Sequence, residues 1–175
     1  MQIGFIMFEV GYSRAKNTRC IIYRSLADMF ICGLIFYGIG YNYAYGENSG
    51  LIGATGFGFF DTNYKDIDYR RWVMGFCYCS TTLSITTSAL AERTYLDTYF
   101  FYSITMSSLL FPVLSYWVWG SGWLHQMGYA DHGGSGVVHM TAGFSGMIGN
   151  YILGPRLGIF KNRTPERKSF SFTRA

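Results

Sequence analysis

Charge is scarce in this 175-residue chain, because Asp, Glu, Lys and Arg together make up only 14% of it. Typical soluble domains carry about 25%. Half of the residues are hydrophobic and 19% are aromatic, which is too much apolar surface for a disordered chain. Four cysteines are too few for a disulfide scaffold, and the pair Cys77 and Cys79 has no second pair with which to bind zinc. We expect four buried thiols, no metal, no disulfide and no cofactor.

Long windows of the sequence lack charge almost completely. They are 26–45, with Asp28 as its one charge, and 72–91, 99–119 and 133–155, with none. About 20 apolar residues cross a bilayer as a helix, whereas a helix in water keeps a charged face. The sequence therefore predicts four transmembrane helices. The apolar residues 1–10 are too short to span; they favour the second half of a fifth span over a short interfacial segment.

The positions of the basic residues predict the orientation of these helices. If the spans alternate, segments 11–24, 92–97 and 156–175 share one side and hold eleven Lys and Arg, against three on the other side. The positive-inside rule places the first set in the cytoplasm. The net charge of +4 thus reflects topology, and no basic patch for nucleic acid is visible.

These windows predict a membrane domain over residues 1–155, followed by a basic cytoplasmic loop or tail over residues 156–175. The predicted spans are about 1–11, 26–45, 72–91, 99–119 and 136–154.

His139 is the ionisable residue of the last window, and ionisable residues inside a membrane are candidates for function. It shares a helical face with Gly143, Gly146 and Asn150, so we expect it to point into a helix bundle. A neutral imidazole both donates and accepts hydrogen bonds, which suits the passage of a small polar solute. The structural alternative is a packed histidine bonded to a neighbouring helix.

Two residues near the predicted outer surface have a structural and a functional interpretation each. Asp131 can bind the free amides at the start of the last span, or it can lend negative potential to a site where cations arrive. Trp119, together with Trp117 and Trp123, fits the aromatic belt of a membrane interface. The functional alternative for Trp119 is cation–π capture of a small cation.

Four groups of residues together resemble the ammonium transporter family of the Amt/MEP type. They are 2–17, 88–93, 117–123 and 131–156. The resemblance covers nearly the whole chain, but it extends only from part of the first span of a transporter to the fifth. It implies an all-α fold of eleven transmembrane helices built from two inverted repeats. It also implies a homotrimer with one pore in each subunit, in the lipid bilayer of the plasma membrane.

The resemblance also implies roles for individual residues. Trp119 matches the Trp that holds ammonium in the outer vestibule, and Asp131 matches a structural Asp near that vestibule. His139 matches the first of two pore histidines. Tyr78 stands where the family has the outer Phe of an aromatic gate, which is a departure. A second departure is His132 followed by Gly133, where the family has an aromatic and then a small residue.

The function implied is transport of ammonium or ammonia, with methylammonium as an analogue. Ammonium is captured, loses its proton, and passes the pore histidines as neutral ammonia. One alternative is a truncated subunit that does not transport and binds or inhibits full-length transporters. Another is an ammonia channel of the Rh type. Trp119 and the Gly154-Pro-Arg sequence at the end of the fifth span argue against this alternative. A membrane enzyme is the least favoured, because no catalytic arrangement stands out.

Overall fold

The computed structural model describes residues 1–47, 50–53, 68–91 and 93–155. Over these ranges the chain folds into helices joined by turns, as expected for an all-α protein. The predicted tail, residues 156–175, lies outside the described residues, as do most of the residues between the predicted spans 26–45 and 72–91.

The helices of the described residues follow one another in chain order. They are α1 (Gln2–Tyr12), α2 (Thr18–Ile35), α3 (Tyr41–Tyr45), α4 (Tyr69–Ala89), α5 (Leu96–Thr105), α6 (Phe111–Trp119), α7 (Trp123–Gln126) and α8 (Thr141–Leu153). A 3₁₀ turn, Ala15–Asn17, leads into α2. Wider π-type turns join α2 to α3 at Phe36–Gly40 and α5 to α6 at Met106–Leu110, and a third, Ser135–Met140, leads into α8.

Two continuous helical stretches within the described residues are long and apolar enough to cross a membrane by length and composition. They are Ala15–Tyr45 and Leu96–Gln126, each 31 residues long. At 1.5 Å per residue the first extends about 46 Å, and the second extends about 36 Å from Leu96 to Trp119, where α6 ends. Both lengths exceed the thickness of a bilayer core. Four spans were predicted, and α4 and α8 do not meet the same criterion. Hydroxyl side chains in α4 and glycines in α8 make these two helices less apolar.

The bundle is arranged around α4, which packs against α8, α2 and α1, while α2 packs on α5 and α3 on α6. The apolar core lies between them and includes Phe36, Leu83, Phe111 and Val138. Glycine permits the closest approach: a Cβ on Gly75 would stand 2.8 Å from Phe36 Cζ. Lipid provides little hydrophobic driving force for membrane helices to associate. Small residues of this kind let the helices approach closely, so that van der Waals contacts hold them together.

The wide turns at Phe36–Gly40 and Met106–Leu110 lie against each other. A Cβ on Gly40 would stand 2.6 Å from the Ser107 carbonyl oxygen and 3.2 Å from Pro112 Cγ. Pro112 lies in the first turn of α6, directly after the wide turn. Proline cannot donate a backbone hydrogen bond, so the helix widens just before it and restarts.

Candidate functional site

An aromatic pair occupies the end of the bundle where α6 finishes. The ring of Trp119 lies 5.0 Å from the ring of Tyr78 on α4, centroid to centroid, with 47° between the two planes. Phe111 stands below them, 6.3 Å from Trp119. Trp119 and Tyr78 are both half-buried and pack on the apolar core. The structure therefore brings together two of the residues that the sequence singled out.

The glycines that follow Trp119 fold the chain back over the end of α6. The amides of Gly120 and Gly122 both donate to the Tyr116 carbonyl oxygen at 3.1 Å. A Cβ on Gly122 would lie 2.5 Å from Trp117 Cα, and one on Gly120 would lie 2.7 Å from Tyr116 O. Any larger residue would push the turn away, so this segment keeps Trp119 at the very end of its helix.

Asp131 holds the start of the last helical stretch. Its carboxylate accepts hydrogen bonds from Gly136 N at 2.8 Å and from Val137 N at 3.2 Å. The Ser135 hydroxyl donates to the same carboxylate at 3.0 Å. These contacts satisfy free amides of the first turn, where negative charge is favoured. This is a structural role near the aromatic pair, because a Cβ on Gly134 would stand 3.8 Å from Trp119 Cζ2.

Gly133 and Gly134 make the turn between Asp131 and the helix possible. Their φ angles are 61° and 77°, in the left-handed region that favours glycine. His132, the second departure from the family pattern, is exposed.

His139 lies on the outside of the bundle that the described residues form. Its side chain is exposed, as is Gly143 one turn later, whereas Gly146 is buried against Ala89. The described residues therefore place His139 and Gly143 together on an outer face of this bundle, as their helical spacing predicts. The expectation that this face points into a bundle stays a prediction, because no helix among the described residues covers it.

The other two tryptophans of the belt make specific contacts. The indole N–H of Trp117 donates to the carbonyl oxygen of Leu51 at 2.8 Å, which attaches the segment 50–53 to the end of α6. The rings of Trp117 and Trp123 meet edge to face at 5.9 Å. Amphipathic rings of this kind suit the membrane interface.

The hydroxyl side chains of α4 are largely satisfied within their own helix. Thr82, Thr86 and Thr87 each contact the carbonyl oxygen four residues earlier. Thr86 Oγ1 also lies 3.2 Å from the Ala142 carbonyl oxygen on α8. These contacts explain how a helix with so many polar groups can pack in an apolar environment.

A second polar cluster, at the opposite end of the helices, was missed. Arg24 forms an ion pair with Glu9, which the Ser88 hydroxyl also contacts, and Asp28 contacts Ser103. Arg24 was counted among the exposed cytoplasmic bases, but only 2% of it is exposed. The signals were an acidic residue inside the apolar α1 and the spacing of four between Arg24 and Asp28, which places both on one helix face.

No group of three His, Cys, Asp or Glu side chains among the described residues could hold a metal ion. The four thiols are free; Cys20 is exposed, which corrects the expectation that all four are buried.

The whole chain matches a known family. The model of the Ammonium Transporter Family matches residues 1–174. The chain belongs to the Ammonium Transporter Family. The fit of motifs at both ends of the chain, from 2–17 to 131–156, is thus explained by common ancestry. The transporter character of this family also agrees with the expectation that the chain is not an enzyme.

Relatives within the Ammonium Transporter Family come from distant organisms. The chain is similar to ammonium transporter 3 of Dictyostelium discoideum, 37% identical over 97% of this chain and 39% of the relative. It is also similar to ammonium transporter Amt2 of Archaeoglobus fulgidus, 32% identical over 90% of this chain and 36% of the relative. The chain thus spans about two fifths of the length of these curated relatives.

A solved structure of a sensor Amt protein has the same helix arrangement. It superposes with a TM-score of 0.82 at 30% identity and covers 89% of this chain and 41% of the other. The helical bundle described above is therefore the fold of an Amt protein over the matched region.

Proposed function

We propose that this member of the Ammonium Transporter Family takes part in the transport of ammonium or ammonia across a membrane. The observation that carries the proposal is the half-buried aromatic pair Tyr78 and Trp119, 5.0 Å apart at the end of the bundle. The face of an indole ring attracts small cations. Membership in the family and the names of the relatives support ammonium as that cation.

The energetics favour release of a proton before the dry part of the path. Moving a small ion from water into a medium of low dielectric costs on the order of 20 kcal/mol in the idealised limit. Cation–π binding returns about 2 kcal/mol when it is desolvated. We therefore infer that ammonium is held at Trp119, loses its proton, and continues as neutral ammonia.

His139 is the proposed contact for ammonia along the path. Its imidazole follows Val137 and Val138, two buried residues of the core next to Trp119. Because a neutral imidazole donates and accepts, it can exchange hydrogen bonds with a small neutral amine. Its exposed position means that the path needs a second wall that the described residues do not supply. By analogy with the family, an inverted repeat forms that wall.

Tyr78 is proposed to replace the outer gate phenylalanine. Its ring packs on Trp119 as a Phe ring would, and its hydroxyl adds a polar group above the path. Asp131 is proposed to act through structure, by fixing the turn beside Trp119. A homotrimer in the plasma membrane is the assembly and location that the family resemblance supports.

Uptake of methylammonium tests the proposal in cells that lack their own ammonium transporters. His139→Ala in the native protein should abolish uptake or alter its selectivity. His125→Ala is the matched control, because this exposed histidine on α7 lies outside the proposed path. Unchanged uptake in His139→Ala, with the protein present in the membrane, would remove His139 from the mechanism.

The apparent mass of the native polypeptide distinguishes transport from the alternative. A blot of source membranes with an antibody against residues 61–71 gives this mass. A band roughly twice the mass of this chain or more indicates a protein with two repeats. A band near 19.9 kDa instead favours a subunit that does not transport alone and acts on full-length transporters.

A further inference from the structure

A buried cluster of charges joins four helices at the end of the bundle opposite to Trp119. We call it the Arg24 cluster; its members are Glu9, Arg24, Asp28, Ser88 and Ser103. It lies where α1 and α4 finish and α2 and α5 begin, the side that the basic residues place in the cytoplasm. Ser103 and Trp119 are 16 residues apart on one continuous stretch, or about 24 Å, so the cluster is separate from the proposed path.

The charges of the Arg24 cluster do not balance if both carboxyl groups are ionised. Glu9, Arg24 and Asp28 are only 4%, 2% and 6% exposed. Two carboxylates and one guanidinium leave one negative charge without a partner. An unpaired charge in an apolar environment is so costly that the group normally neutralises itself instead. The cluster therefore requires one further positive charge.

The arrangement around Arg24 indicates which carboxyl group is ionised. Arg24 Nη2 contacts Glu9, and the Ser88 hydroxyl contacts the other Glu9 oxygen. Arg24 Nε has no hydrogen-bond partner among the described residues. An ionised Asp28, one turn along the same helix, would be attracted to that N–H group. Its carboxyl group contacts the Ser103 hydroxyl instead.

The single hydrogen atom that the Ser103 hydroxyl can donate indicates where the further positive charge, a proton, is bound. Its single hydroxyl hydrogen has two acceptors within reach, Asp28 Oδ1 and the Tyr99 carbonyl oxygen, the latter at 2.8 Å. A hydroxyl donates only once but can also accept. If Ser103 donates to Tyr99, both contacts are hydrogen bonds only when Asp28 carries a proton and donates it to Ser103. The direct contact between the two side chains leaves no space for a metal or ammonium ion between them.

We propose that the Arg24 cluster is a proton-binding site, in which Asp28 is a neutral carboxylic acid and Glu9 is the carboxylate paired with Arg24. This site goes beyond the proposed transport function and does not depend on it. It makes the packing of α1, α2 and α5 sensitive to pH on the cytoplasmic side. The folded protein holds a proton that a solvated aspartic acid has already released at about pH 4. Stability therefore falls as the pH rises and the proton is lost.

Other ionisable groups also surround Asp28. Glu9 faces it from α1, Arg24 from its own helix and Tyr102 from α5. Tyr99 on α5 interacts with Arg24 and Glu9, and Cys79 on α4 interacts with Tyr102. The guanidinium carbon of Arg24 lies 4.6 Å from the centre of the Tyr99 ring. The phenol of Tyr99 donates to the Leu90 carbonyl oxygen at 2.9 Å. Near neutral pH the phenols and the buried thiol are uncharged, so the charge of the cluster depends on the two carboxyl groups.

Infrared spectroscopy of the purified native protein in detergent tests the assignment. A protonated carboxylic acid has a carbonyl stretching band apart from that of a carboxylate. At neutral pH the wild type should show this band, and Asp28→Asn should lose it. Glu9→Gln should also lose it, because Asp28 then becomes the only carboxyl group available to balance Arg24 and gives up its proton. A spectrum without the band, or a band that persists in both variants, overturns the proposal.

Thermal unfolding as a function of pH gives an independent measurement. The wild type should lose stability as the pH rises from about 4, where a solvated aspartic acid ionises, until the folded protein also releases the proton. Asp28→Asn, neutral at every pH, should lose less over the same range. If Asp28→Asn does not fold, Ser103→Ala is the second variant and should shift the carbonyl band by removing its hydrogen-bond partner. An unshifted band contradicts the proposal. Stability that depends on the concentration of sodium or ammonium at fixed pH would show that a cation, and not a proton, is bound.

Discussion

The contact between α4 and α8 can be tested at a single glycine. A Cβ on Gly146 would stand 2.8 Å from Ala89 Cβ, which is closer than carbon atoms approach each other. Gly146→Ala should therefore push α8 away from α4 and destabilise the protein. Overpacking of this kind costs about 1–3 kcal/mol, and the better helix propensity of alanine returns up to about 1 kcal/mol.

The same substitution at Gly143 isolates the packing term. Gly143 lies in the same helix, one turn earlier, and a Cβ there would meet nothing within 4 Å among the described residues. Gly143→Ala gains the propensity term without the clash, so the two variants should differ by about 1–3 kcal/mol. Gly4→Ala in α1 is a second control, because its Cβ would also meet nothing within 4 Å. It shows whether alanine alone changes stability in this bundle.

The assay is unfolding of each purified protein in mixed detergent micelles, followed by loss of helical circular dichroism. Methylammonium uptake by the same variants shows whether the spacing of α8 also affects transport. If Gly146→Ala is as stable as Gly143→Ala, the close approach of α4 and α8 described here is incorrect.

Four further substitutions test the outer end of the bundle. Asp131→Ala removes the acceptor for the Gly136 and Val137 amides and should cost about 1–2 kcal/mol of stability. Asp97→Ala on α5 is an exposed control. No loss of stability in thermal unfolding of Asp131→Ala would contradict the capping role. Trp117→Phe removes the donor to Leu51, so the Gly53 amide, which donates to Tyr43 at 3.0 Å, should exchange its hydrogen faster than in Trp123→Phe. Tyr78→Phe keeps the ring against Trp119 and should retain methylammonium uptake. Trp119→Leu should raise the half-saturating concentration of methylammonium roughly 30-fold, because about 2 kcal/mol of cation–π binding is lost. Equal half-saturating concentrations for these two variants would argue against cation–π capture.

The sequence was sufficient to predict helices in the charge-poor windows, because a long apolar run in this chain has few other ways to satisfy its backbone. The ends of the helices were less predictable. The predicted window 72–91 begins three residues later than the helix. α4 begins at Tyr69, after the Asp68 cap, and therefore includes the charged residues Arg70 and Arg71. Caps of this kind depend on a single side chain and leave a weak trace in composition.

The environments of individual side chains were harder to predict. The pairing of Tyr78 with Trp119 joins residues 41 positions apart, and their proximity followed only from a resemblance. Helical spacing places His139 and Gly143 on one face, but it does not show which helix covers that face, and none of the described residues covers it. Arg24 was misplaced because its partner Glu9 comes from another helix, and charge counting treats every base near a helix end as solvated.

The pairing of Glu9 with Arg24 has a consequence for the biogenesis of the protein. An isolated arginine within a span costs about 3 kcal/mol to insert into a membrane. Glu9 and Arg24 are 15 residues apart on neighbouring helices, so α1 and α2 can leave the ribosome together and enter the bilayer as a hairpin whose charges are already matched. Among the described residues Arg93 has no such early partner. Its Nη1 donates to the Gly154 carbonyl oxygen, 61 residues later, at 3.2 Å. That bond can form only after α8 has been translated, so Arg93 is fixed in the bundle later than Arg24.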